Sequence, residues 1–229
     1  ANELKYVRSL MDEEEGAKYA QYSAALDILT IYMGIYDTDF TGDIPYTEAA
    51  QGAHGGTLTP KYDRVESLYN LWLGNLDEDI QVLTTATNQV FLGAQDMIYG
   101  GDTNKWARLA NSLKLKIAAR LINKDRAKAL QIATAVVNSP VGVISNESQD
   151  FLFNKATSTT ADNDYVYNWN NAVLQTVGGS ITMVDFLIDN LDPRVRFIFQ
   201  KNHWNSKVVQ LFFDAEREDD VPHFIMDNV

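Results

Sequence analysis

Apolar residues recur at three- and four-residue spacing along several stretches of the chain, with polar and charged residues between them. That is the period of an α-helix with one buried face. Over residues 11–37 the positions Ala17, Ala20, Ala24, Ile28, Ile31 and Ile35 line up in this way. Asp12 to Glu15 precede them, where the helix dipole favours acids, so one long helix is predicted. A second is predicted from "DRVE", with Asp63 as the cap, Glu66 at the reciprocal capping position and Val65, Leu68, Trp72, Leu76, Ile80 and Leu83 as its stripe. The third runs from about Asn104, with Trp106, Leu109, Leu113, Ile117 and Leu121 on one face. Asp125 caps a fourth, which ends at "NSP" with Pro140. The short turn between the last two implies an antiparallel hairpin, in which Ala118, Ala119, Ala127, Ala129 and Ala133 permit close approach.

Elsewhere the helical period fades. Residues 37–60 carry Gly, Asp, Pro and Thr clusters and read as a structured loop. Beyond Pro140, "TSTTADNDYVYNWNN" is polar, aromatic and loop-like. Ser180 then caps a short helix over 181–191, and Pro193 suits the first position of a further turn. The final "KVVQLFFDAEREDDVPHF" reads as a strand-like apolar run followed by a solvated acidic stretch. The predicted fold class is therefore mainly α: tetratricopeptide-like hairpins without a clean 34-residue period, plus an irregular, loop-rich region. The helical scaffold covers about 1–140 and the loop-rich part about 141–229.

Charge narrows the function. The net charge of −12 opposes a nucleic-acid partner, whose affinity rests on clustered cations. Lys105, Arg108, Lys114, Lys116 and Arg120 spread around the polar faces of one helix, which solvation explains better than DNA. With no cysteine, disulfides, thiolate metal sites and Cys nucleophiles are excluded. "GGDTNKW" at 100–106 lacks the second glycine of a phosphate loop and has Trp106 where a hydroxyl residue belongs. Gly100 and Gly101 supply a tight turn instead, with Asp102 or Thr103 capping the helix and Trp106 in its core.

Catalytic residues are not found. His54, His203 and His223 are scattered, Asp43 with Glu48 forms no recognisable glycosidase pair, and no nucleophile elbow exists. No cofactor and no metal are expected. "DNDYVYNWNN" opens like a calcium loop but lacks the EF-hand glycine and terminal glutamate, which leaves only an irregular calcium site as an alternative. The same stretch holds the candidate ligand residues. Trp169, Tyr165 and Tyr167 offer ring faces to a sugar, and Asn168 and Asn170 offer amides to its hydroxyls, with Trp204 a weaker candidate. The alternative reading is that these rings pin the loop to the helical scaffold.

"MIYGGDTNKWARLANSLKLKIAARL" resembles the signature of the SusD/RagB family, particularly its SusD-like, starch-binding-associated branch. "GDIPYTEA" at 42–49, "TPKYDRVESLY" at 59–69 and "DPRVR" at 192–196 agree in order, and the four stretches span about two thirds of the chain. The resemblance implies a surface-exposed, lipid-anchored protein of the Gram-negative outer membrane. It implies capture of an oligosaccharide or oligopeptide nutrient as lid of a SusC-like TonB-dependent transporter, without catalysis. Members carry a lipidated Cys after a signal peptide and are about twice as long, so these residues read as an internal segment of one SusD-like domain, its lipid anchor outside. The alternative is a helical scaffold for protein partners that binds no small ligand.

Overall fold

The computed structural model describes residues 1–90, 93–152, 180–199, 206–217 and 219. The chain divides into two compact units, Ala1–Thr157 and Ser158–Val229. The first holds α1 (Asn2–Ser9), α2 (Glu13–Ala17), α3 (Ala20–Thr41), α4 (Val65–Thr85), α5 (Thr103–Leu121) and α6 (Arg126–Val137). The second holds α7 (Ile181–Asp189), α8 (Val195–Ile198) and α9 (Ser206–Asp214). Among the described residues no strand forms; Ile44 and Asp63 make an isolated antiparallel bridge. No described helix is long and apolar enough to cross a membrane.

α3 and α4 run antiparallel. At one end the Ile44–Asp63 bridge ties the end of α3 to the start of α4. At the other, the Gln21 amide donates to the carbonyls of Leu83 and Ala86. Between them Ile28, Ile31 and Ile35 of α3 meet Leu68, Trp72 and Leu76 of α4 in one core cluster, together with Trp106, Leu113 and Ile117 of α5. Burying each such side chain stabilises the fold by roughly 1.5–3 kcal/mol relative to exposure. Gly34 leaves room for the Trp72 ring against α3: a Cβ there would stand 2.7 Å from a Trp72 ring carbon. α5 and α6 form the predicted antiparallel hairpin, with Ala118, Ala129, Ile132 and Val136 buried. Ala119 and Ala127 face solvent, so only part of the small-residue set serves the close approach.

Several local expectations are corrected. The helix over 11–37 is broken into α2 and α3. Asp12 caps α2 through the Glu15 amide, and the Gly16 carbonyl accepts from the Tyr19 amide, three residues on, and from Arg8 Nε at 2.9 Å. Asp63 does not cap α4. Its carboxylate instead accepts from the amides of Tyr46 and Thr47, and the Val65 amide at the helix start donates to Asp43, 3.0 Å away. Ser180 precedes α7 without a side-chain cap. The strand-like run "KVVQLFF" lies within α9, where, among residues 209–213, Val209 and Phe212, three residues apart, are the less exposed positions.

The caps of α5 and α6 are as predicted. Asp102 accepts from the amides of Asn104 and Lys105, and Asp125 from that of Lys128. Asp102→Ala should therefore lower the unfolding free energy by about 0.5–2 kcal/mol. Chemical denaturation checks this, and an unchanged midpoint would assign the cap elsewhere.

Candidate functional site

The sequence-derived ligand residues Tyr165, Tyr167, Asn168, Trp169, Asn170 and Trp204 lie outside the described residues, as do His203 and His223. The irregular calcium alternative falls on the same stretch. The described residues offer three other places where chemistry concentrates.

The first is the "YGGD" turn. Gly100 and Gly101 both adopt positive φ, at 62° and 89°, and let the chain reverse into α5. Asp96 organises the turn. Its Oδ1 accepts from the amides of Ile98 and Tyr99, and its Oδ2 from the Gly101 amide and, at 2.7 Å, from Trp106 Nε1. Burial works against the charge on Asp96, but these donors outweigh it and hold the carboxyl below its usual range. Trp106 is 2% exposed and meets the Tyr99 ring edge-on at 5.2 Å. Burial and the charges of Asp150 and Asp96 push the Tyr99 hydroxyl up to about 12, so it stays a donor, to the Gln149 carbonyl. The motif is thus an anchor for the start of α5, in keeping with the core reading of Trp106. Asp96 was not singled out in the sequence; an acid ahead of a Gly-Gly turn is the signal that could have found it.

Beside this turn an open cleft of about 450 Å³ lies between α3 and residues 95–98, walled by Tyr22, Leu26, Leu29, Met97, Ile98 and Trp106. Tyr22 donates to Gln95 Oε1 across it at 2.7 Å. The walls are almost wholly apolar, so the cleft suits an apolar group and offers little to a sugar's hydroxyls.

The second place is a smaller cavity, about 230 Å³, between α1 and residues 50–56. The Tyr6 ring stacks on His54 at 3.6 Å and 13°, and Glu3 holds His54 Nε2 at 2.8 Å. Asn2, Lys5 and Gln51 add polar groups. Ala50 sits at φ 56°, a strained conformation for a residue with a side chain. A ring face bordered by amides and an ammonium group is a composition that a small polar ligand can use.

The third place adjoins it. Lys5 Nζ reaches Asp27 Oδ1 at 2.9 Å, and Asn75 Nδ2 donates to Asp27 Oδ2. Asp79 lies in the same seam between α3 and α4. Its Oδ2 is buried without a hydrogen-bond partner. Burial first, and then the charge of Asp27, push the Asp79 carboxyl up to about 8, with Lys5 opposing.

The carboxylates considered for glycosidic chemistry have structural work. Asp43 accepts from the Val65 amide and Glu48 from the Lys61 amide. Among the described residues, no three His, Cys, Asp or Glu side chains group to hold a metal ion.

Against known proteins, the family model described as "starch-binding associating with outer membrane", SusD-like, matches residues 1–212. Among solved structures, a SusD homolog from Bacteroides uniformis is 34% identical, covering 58% of this chain and 26% of that one, with a TM-score of 0.52. A SusD homolog from Parabacteroides distasonis is 25% identical over 75% of this chain and 32% of its own, with a TM-score of 0.62. A chitin-binding protein is 26% identical over 84% of this chain and 39% of its own, with a TM-score of 0.64. The chain thus spans between 26% and 39% of the length of these structures. No curated protein matches significantly. The predicted class, mainly helical with tetratricopeptide-like hairpins, is the architecture these neighbours share. With a family model covering all but the last 17 residues, the chain belongs to the SusD-like family.

Proposed function

We propose that this chain is part of an outer-membrane, cell-surface protein that binds a glycan nutrient and passes it to a SusC-like TonB-dependent transporter. The observation carrying this reading is the likeness to the chitin-binding structure over 84% of the chain, within a family described as starch-binding. It is a binding role and needs no catalytic residue. A β-1,4-linked, N-acetylated oligosaccharide is the first ligand to try and a starch oligosaccharide the second, with peptides as a third class.

The reading is tested in two steps. Titration calorimetry of the full-length protein against chitin, starch and peptide oligomers should give saturable binding to one class. Gentle detergent extraction of the native protein should copurify a large outer-membrane β-barrel. Failure of all three ligand classes would remove the nutrient-binding role, and a protein that runs alone under several mild conditions would remove the transporter.

Ligand contact is assigned to Trp169 first, then Tyr165 and Tyr167 with Asn168 and Asn170, and Trp204 last. Trp169→Ala should weaken binding at least tenfold while leaving the thermal midpoint nearly unchanged. Such a loss equals about 1.4 kcal/mol, within reach of one stacked ring. Unchanged affinity removes Trp169 from the site, and a large fall in the midpoint assigns the ring to anchoring its loop.

A further inference from the structure

α1 forms one wall of the polar cavity, yet none of its residues is buried. Polar contacts seat it. Asn2 donates to the Ala49 carbonyl, Arg8 to the Gly16 carbonyl and the Ser23 hydroxyl, and Lys5 to Asp27. Lys5 reaches into the α3–α4 seam, where Asp27 is already bonded to Asn75 and Asp79 keeps an oxygen buried without a partner. We propose that Lys5 and the Asp27–Asp79 carboxyl pair form a proton-coupled latch, so that seating α1, and with it one wall of the polar cavity, favours release of a proton from Asp79.

Asp27 and Asp79 are both buried, and the charge of Asp27 reaches Asp79, so a second negative charge there is resisted. An ammonium group brought up beside them offsets the second charge. The groups facing Asp79 divide accordingly. Asp27 on α3 and Glu78 on α4 favour the bound proton, and Lys5 from α1 favours its loss. The Tyr46 hydroxyl, from the 42–64 connection, feels both Asp27 and Asp79 and is itself held protonated by burial. Asp77, two residues along α4, is paired with Lys114 of α5.

Reciprocity then fixes the sign. If seating Lys5 weakens proton binding at Asp79 by some factor, ionising Asp79 strengthens the seating of α1 by the same factor. With Lys5 seated Asp79 ionises near pH 8, and with Lys5 withdrawn it does so at higher pH. Seating is therefore indifferent to this group below about pH 7 and tightens as pH rises above 8, until the unseated form ionises too. The latch concerns the cavity wall and does not depend on which nutrient is bound.

Carbon-13 titration of the Asp79 carboxyl in the full chain tests it, with Asp79→Asn identifying the resonance. Lys5→Met should move the titration midpoint upward by half a pH unit or more, a threefold or greater coupling, and Lys5→Arg should bring it back. Independently, amide exchange in α1, corrected for its intrinsic pH dependence, should slow between pH 8 and 9.5 in the unaltered chain and not in Asp79→Asn. Equal midpoints in the unaltered chain and Lys5→Met would overturn the proposal. So would α1 protection that varies with pH identically in Asp79→Asn.

Discussion

Trp106→Ala lowers the unfolding free energy by about 3–5 kcal/mol, the cost of emptying a buried indole site. The ring is 2% exposed and packs on Tyr99, and its Nε1 is one of four donors to Asp96. Trp106→Phe separates the two contributions. It keeps most of the packing and forfeits the hydrogen bond to a charged acceptor, a loss of about 1.5–3 kcal/mol. Combined with Asp96→Ala, the effects are less than additive, because both substitutions break the same contact. Denaturant unfolding of the single and double variants measures all of this. Were Trp106→Ala to unfold where the unaltered chain does, the indole would have no place in the core.

Asp79→Asn raises stability at neutral pH, by about 2–4 kcal/mol at pH 7. The folded carboxyl ionises near 8 against a usual value of 3.8. An acid with its folded value raised contributes stability fully present below about pH 4, and that contribution is lost as pH climbs towards 8. The unaltered chain and Asp79→Asn should accordingly differ least near pH 4 and most near pH 8. Thermal or urea unfolding across that range decides it. A gap that stays constant with pH would mean that Asp79 ionises normally in the folded protein. The direction is opposite to that of Asp96, whose depressed carboxyl stabilises above its usual range and loses that effect in acid.

Much of the helical scaffold was legible because its determinants are local. Asp102 and Asp125 cap helices with amides two or three residues away, and Trp72, Leu76 and Ile117 follow a single period. What escaped was set by distant partners. Asp63 has a cap's sequence context, but the bridge to Ile44 turns it towards Tyr46 and Thr47, and Asp43 serves the start of α4 from 22 residues upstream. The break between α2 and α3 involves Arg8, which no window on that helix contains. In "KVVQLFF" adjacent valines and phenylalanines mask a helical period only two positions long. Asp27 and Asp79 sit within otherwise helical, partly apolar stretches, and nothing in either stretch announces that the other carboxyl lies across the seam. For the proposed ligand residues, from Tyr165 to Asn170 and Trp204, the sequence shows rings and amides, and their positions lie outside the described residues.

The connection between α3 and α4 is fastened at its base by carboxylates gripping main-chain amides: Asp43 on Val65, Glu48 on Lys61, Asp63 on Tyr46 and Thr47. Every residue except proline carries an amide N–H, so this fastening demands of the residues it binds only that they not be proline. Between Glu48 and Lys61 the chain is free of that framework. Changes of side chain at the tip, which includes Ala50, Gln51 and His54 of the polar cavity, therefore leave the fastening of α3 to α4 in place. The base of this connection is thus set by main-chain bonds, and its tip by what α1 places against it, Asn2 on the Ala49 carbonyl and Glu3 on His54.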